Sequence, residues 1–115
     1  KFIYGDTKTF EEMMREKYED KGFVAEKQSA GISGKSFKPN EVFEDYWIFM
    51  PDWIFKKRKV YWIAVLAHEA LHTAFRIMRE AGVAEDEAIC YFHEFIFRTC
   101  LENIPIKLST KKVNI

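Results

Sequence analysis

Little in this sequence is in excess, and each shortage excludes something. The 115 residues carry 18 basic and 18 acidic side chains. With no net charge there is no global field to recruit nucleic acid or an anionic membrane. Cysteine is confined to Cys90 and Cys100. In one expected helix these lie about 15 Å apart by helical rise, too far to bridge. Both thiols read as small core residues, and the lack of a disulfide framework points to a reducing compartment. No apolar run approaches the roughly 20 residues that a bilayer crossing needs. The stretch KFIYGDTKTFEE turns polar too soon for a secretory signal. Repeats, linkers and low-complexity segments are missing as well. The expectation is one cytoplasmic domain spanning residues 1–115, without a membrane partner.

What the chain does have is bulk: eleven Phe, five Tyr and three Trp, enough for one real core. KFIYG (1–5) reads as a short strand. A helix follows from about Lys8 to Asp20, capped by Asp6 or Thr7, with Phe10, Met13, Met14 and Tyr18 as its stripe. FVAEKQSA (23–30) reads as a second strand, GISGKS as turn or loop, and Phe43–Met50 as a third strand stopped by Pro51. A long helix is expected from about Lys59 to Ala81, with Gly82 as a left-handed cap. Its centre, YWIAVLA, is apolar on nearly every face, the pattern of a buried helix. A last helix runs from Glu85–Asp86 to about Asn103, with Ala88, Phe92, Phe95, Ile96 and Thr99 as its stripe. Residues 106–115 read as a loosely held tail. These elements predict an α+β domain: a sheet of about three strands packed on the buried helix, with a second C-terminal helix behind it.

Inside that apolar helix stands VLAHEALHTAFRIM (65–78). The chain has three histidines, and two of them, His68 and His72, are four apart. On a helix their rings project from one face on successive turns, the spacing that suits two imidazoles on one tetrahedral zinc. Glu69 is rotated about 100° from the first histidine, placed to reach a water rather than the ion. This is the logic of H-E-x-x-H. Unpartnered polar groups buried in such a helix would cost about 1–3 kcal/mol each, so something must satisfy them. The structural alternative is a core hydrogen-bond network or a solvent-lined groove.

A third ligand is required. The metzincin continuation is excluded, since Phe75 and Met78 stand where it needs Gly and His. Glu85, Asp86, Glu87, His93 and Glu94 remain. A tight antiparallel hairpin about Gly82 puts Glu94 level with His72, and leaves Glu87 roughly 10 Å away by helical rise.

The run HEALHTAFRIMREAGV with DEAICYFHEF resembles small zincin-like proteins encoded by bacteriophages. In these, HExxH is followed ten residues later by a Gly, here Gly82, and then by Glu-Ala-x-x-Tyr, here Glu87-Ala88-Ile89-Cys90-Tyr91. The order of AGISGKSF, YWIFMPDW and IAVLAHE is also similar, so the likeness covers about residues 30–98. ImmA/IrrE-type metallopeptidases are more distantly similar. The resemblance implies a gluzincin-type zinc metallopeptidase with His68, His72 and Glu87 on the metal and Glu69 as general base. The interval from His72 to Glu87 is shorter than the family's, which keeps Glu94 as the alternative. Tyr91, one turn beyond Glu87, is the candidate for a hydroxyl on a ligand or a developing oxyanion.

The expected partner is a protein or peptide substrate, in a host cytoplasm if the chain is phage-encoded. Tyr46–Phe49 reads either as the edge strand that pairs with it or as core sheet, and alternation allows both. The KKRK block at 56–59 is a basic patch at a helix start, a weak pointer to phosphate or an acidic partner. Two rival functions remain: a zincin-like binding protein that does not cleave, and a SprT-like protease acting on DNA-bound protein. The intact Glu69 favours catalysis, and the balanced charge speaks against nucleic acid.

Overall fold

A computed structural model describes residues 1–26, 28–42 and 44–104; the predicted tail at 106–115 lies outside the described residues. The elements are β1 (Phe2–Gly5), α1 (Thr7–Lys17), β2 (Ile32–Phe37), β3 (Glu44–Pro51), a 3-10 turn (Asp52–Lys56), α2 (Lys59–Glu80) and α3 (Asp86–Glu102). The class is α+β, as the pattern predicts. Among the described residues no helix is long and apolar enough to cross a membrane.

The sheet has the order β1-β3-β2, with β1 parallel and β2 antiparallel to β3. The central strand explains the layering. Its run YWIFM is apolar at consecutive positions, so both faces are buried. Trp47 and Phe49 pack with Phe10 and Met14 of α1 and with Tyr18 at its C-terminal cap, and the Phe10 and Phe49 rings stack at 3.9 Å. Ile48 and Met50 face the other way, against Trp62, Leu66 and Ala70 of α2 and Cys100 of α3.

The second strand is not where the pattern put it. Residues 23–26 form no strand, and β2 occupies the ISGKSF stretch expected to be loop. Two side chains of α1 account for the first half. Arg15 Nε donates to the Phe23 carbonyl at 2.8 Å, and Glu11 accepts from the Ala25 amide at 2.9 Å. Backbone groups that a sheet would have paired are thus engaged by a helix. The second half follows from Trp47. A Cβ on Gly34 would lie 2.6 Å from Trp47 Cζ2, so the glycine that reads as a turn signal instead makes room for the neighbouring indole.

The end of α2 is as expected. Gly82 has φ +74°, its N–H reaches the Arg79 carbonyl, and the Val83 N–H reaches Met78. These are the two bonds of a Schellman cap. The burial of α2 is not as expected: Val60, Tyr61 and Leu71 are exposed. One face only, Trp62, Leu66, Glu69, Ala70, Thr73 and Ala74, is buried. The inward side of α3 is Ile89, His93, Ile96 and Cys100, one position round from the predicted stripe, and Phe95 and Thr99 are exposed. Cys100 is buried as expected, whereas Cys90 is exposed.

Candidate functional site

Helical spacing sets the site. On α2 the core side is taken by positions 62, 66, 69, 70 and 73, which turns positions 68, 72, 75 and 79 to the outside. His68 and His72 are accordingly exposed. The expectation that they are buried polar groups in need of partners is therefore overturned; water already solvates them. What survives is their mutual geometry. The two Nε2 atoms are 3.0 Å apart, and the rings meet edge to face with centroids at 4.6 Å. Two nitrogens at about 2.0–2.1 Å from a tetrahedral zinc would be separated by about 3.3 Å. The pair fits two positions around one ion with a small rotation of the rings.

Glu69 is on the other side of the boundary. It is 8% exposed, the one buried carboxylate among the described residues, while its backbone carbonyl accepts from Thr73 Oγ1 at 3.0 Å. Among the described residues no buried side-chain polar atom lacks a partner, and no partner is found for the Glu69 carboxylate. Its oxygens therefore reach solvent, in a cleft that Gly31, Tyr61, Val65 and His68 also line. A side chain held by the core with its carboxylate open to a cleft beside His68 is well placed to exchange a proton with water there.

That cleft borders the start of β2, and three ties hold β2 along α2. At Gly31 the backbone comes so close that a Cβ would lie 2.8 Å from Val65 Cγ1 and 3.0 Å from Glu69 Cγ. Arg76 Nη1 donates to Ser33 Oγ at 3.0 Å. Lys35 and Tyr46 both donate to Glu80, which holds that carboxyl below its usual range and pushes the Tyr46 phenol up to about 12. The strand thus runs in the same direction as the helix, and among the described residues no strand pairs with its outer edge. Of the two readings of Tyr46–Phe49, core sheet holds, because it lies in the central strand, and β2 takes an edge position.

The third ligand does not arrive. His93 lies 3.0 Å from the Ala67 carbonyl through Nε2, so it is committed to the helix pair rather than to a metal. Counting five residues from that contact towards the turn on each helix brings His72 level with Ala88. Glu87 is thus at the right height, and Glu94 is not. The face is wrong, however. Glu87, Tyr91, Glu94 and Arg98 share the outward stripe of α3, opposite Ile89, His93 and Cys100. Tyr91 is 65% exposed, and Glu94 pairs with Arg98 at 3.6 Å. Glu85 is spent as the cap of α3, accepting from the amides of Glu87 and Ala88, and Asp86 is exposed in the first turn. Among the described residues no three His, Cys, Asp or Glu side chains gather closely enough to hold a metal. The structure brings together His68, His72 and Glu69, and leaves Glu87 and Tyr91 apart from them. The KKRK block is exposed throughout.

Sequence reasoning missed Gly31, Arg76 and Arg79. The arginines had a signal, since they follow His72 by four and seven residues on a helix. Gly31 had none, because its role depends on which strand crosses the helix. No family profile, no curated protein and no solved structure matches this chain.

Proposed function

We propose that this chain is a zinc-dependent peptidase of the small zincin-like kind that its HExxH segment resembles. The observation that carries the reading is the imidazole pair at 3.0 Å, with Glu69 held in the core beside it and lining a cleft that His68 also borders. His68 and His72 would hold the ion. When bound, zinc supplies Lewis acidity, polarising a peptide carbonyl and lowering the pKa of water. Glu69 accepts a proton from the attacking water and returns it to the leaving amine. The outer edge of β2 pairs with an extended substrate, whose main chain it aligns past His68.

The outward placement of Glu87 favours a second reading, a domain that binds peptide at this edge without cutting it. One experiment separates the two. The protein is dialysed against zinc and incubated with a mixture of unfolded proteins, and new chain termini are sought by mass spectrometry. Termini that appear with zinc, vanish with chelator and vanish in Glu69→Gln support the peptidase. Zinc-loaded protein that generates no termini supports the binding domain. Cleavage that persists in Glu69→Gln would remove Glu69 from the mechanism.

A further inference from the structure

The outer face of α2 does not end at the histidines. A cleft of about 450 Å³ continues from them along the helix, lined by His68, Leu71, His72, Phe75, Arg76 and Arg79. Its far end carries two guanidinium groups, and both are held in place. Arg76 is tied to Ser33 at 3.0 Å, and Arg79 sits 5.0 Å over the Phe75 ring, the distance of a cation–π contact. Neither has a carboxylate within ion-pair distance among the described residues. The nearest acid in sequence, Glu80, is already engaged by Lys35 and Tyr46. Two positioned and unneutralised guanidiniums beside an apolar wall form a receptor for a planar anion, and guanidinium suits a carboxylate through paired N–H donors.

We infer that the cleft recognises a carboxylate on the peptide that the His68–His72 site acts upon. The inference deepens the peptidase reading and rests on it for the word substrate, though not for the binding itself. Seven residues of helix from His72 to Arg79 rise about 10 Å. An extended chain covers that distance in about three residues, at about 3.3 Å each. The carboxylate therefore lies about three residues from the peptide bond held at the histidines, either on an Asp or Glu side chain or at the chain terminus. Leu71 and Phe75 supply the apolar flank for the residues between.

The test uses the full chain carrying Glu69→Gln, so that nothing is consumed, and fluorescence anisotropy of labelled ten-residue peptides. The probes carry one Asp or one Asn at the same position, each with a free or an amidated C-terminus. The expected result is at least a tenfold preference for a carboxylate-bearing probe. A preference that follows Asp regardless of amidation assigns the side chain, and one that follows the free terminus assigns the chain end. In Arg76→Gln/Arg79→Gln the preference falls to about one. Ser33→Ala removes the tie from Arg76 but keeps both charges, and it retains the preference. Equal binding of all four probes, or a preference untouched by the double substitution, overturns the inference. Repeating the measurement in His72→Ala separates the two claims. A carboxylate preference that survives there, in protein shown to bind no zinc, upholds the cleft whatever becomes of the peptidase reading. Cleavage by the unsubstituted chain at equal rates on all four probes would uphold the peptidase and overturn the cleft.

Discussion

The close approach of Gly31, just before β2, to α2 gives a prediction that can be worked through in numbers. At Gly31 an added Cβ would meet Val65 Cγ1 at 2.8 Å and Glu69 Cγ at 3.0 Å, where ordinary contacts begin near 3.4 Å. The backbone at Gly31 is not in the left-handed region, which among the glycines holds only Gly5 and Gly82. Gly31→Ala therefore tests space rather than strain. Overpacking of this kind costs about 1–3 kcal/mol. Val65 is β-branched and fixed at one rotamer in a helix, so it cannot swing aside, and the cost should lie in the upper half of that range. Against it stands the lower entropy of the unfolded alanine chain, worth about 0.4–1 kcal/mol. The expected net loss is about 1–2 kcal/mol, a fall of roughly 4–8 °C in melting temperature for a domain of this size. Urea unfolding followed by circular dichroism measures it. Val65→Ala in the same chain removes the nearer atom, so the double variant should lose about 1 kcal/mol less than the sum of the singles. A Gly31→Ala protein within about 0.5 kcal/mol of the parent, or strictly additive singles, would mean that β2 does not press on α2 beside Glu69.

Two further predictions concern groups away from the clefts. Burial pushes the Cys100 thiol up to about 11, whereas Cys90 is exposed. A thiol reagent at about pH 8 should thus modify Cys90 quickly and Cys100 only after unfolding, and equal fast reaction of both would contradict the packing of α3. Tyr18 donates its hydroxyl to Asp45 at 2.8 Å, and that bond, with Lys1 adding to it, holds the Asp45 carboxyl below its usual range. A depressed carboxyl stabilises the fold above its unfolded pKa of about 3.9 and loses that contribution as pH falls through the lower folded value. Tyr18→Phe should cost about 0.5–1.5 kcal/mol near neutral pH. The difference from the parent should close in acid, and one that stays constant to about pH 2.5 would show that the hydroxyl acts through packing alone.

How far the sequence led depended on whether a signal was local. The span of α2 and its Gly82 cap were legible because a long apolar run and a glycine carry them. The central strand was legible because YWIFM needs two covering layers, and α1 with α2–α3 supplies them. The strand at Ile32–Phe37 was not, because Gly34 and Ser36 suit it only once Trp47 is beside them; Trp47 Nε1 donates to Ser36 Oγ at 3.1 Å. The histidine pair was legible as a spacing, but its surroundings were misjudged. Tyr61 and Leu71 look like core residues in sequence and are exposed in the fold, so the apolar run hid a solvent face. Glu87 shows the same limit. A hairpin counted about Gly82 puts Glu94 level with His72, whereas the His93–Ala67 contact brings Ala88 there. The face of Glu87 depends on the rotation of α3, which Ile89, His93 and Cys100 set by packing.

The claim on which the functional reading stands is that His68 and His72 hold zinc together, and metal content tests it most directly. Protein loaded with zinc, freed of excess and assayed by elemental analysis should carry about one ion per chain in the parent and in Glu69→Gln. It should carry none in His68→Ala or in His72→Ala, and Glu87→Ala should keep its ion, because that carboxylate faces away on α3. A parent chain that takes up no zinc at neutral pH, or zinc that stays in both histidine variants, would contradict the assignment.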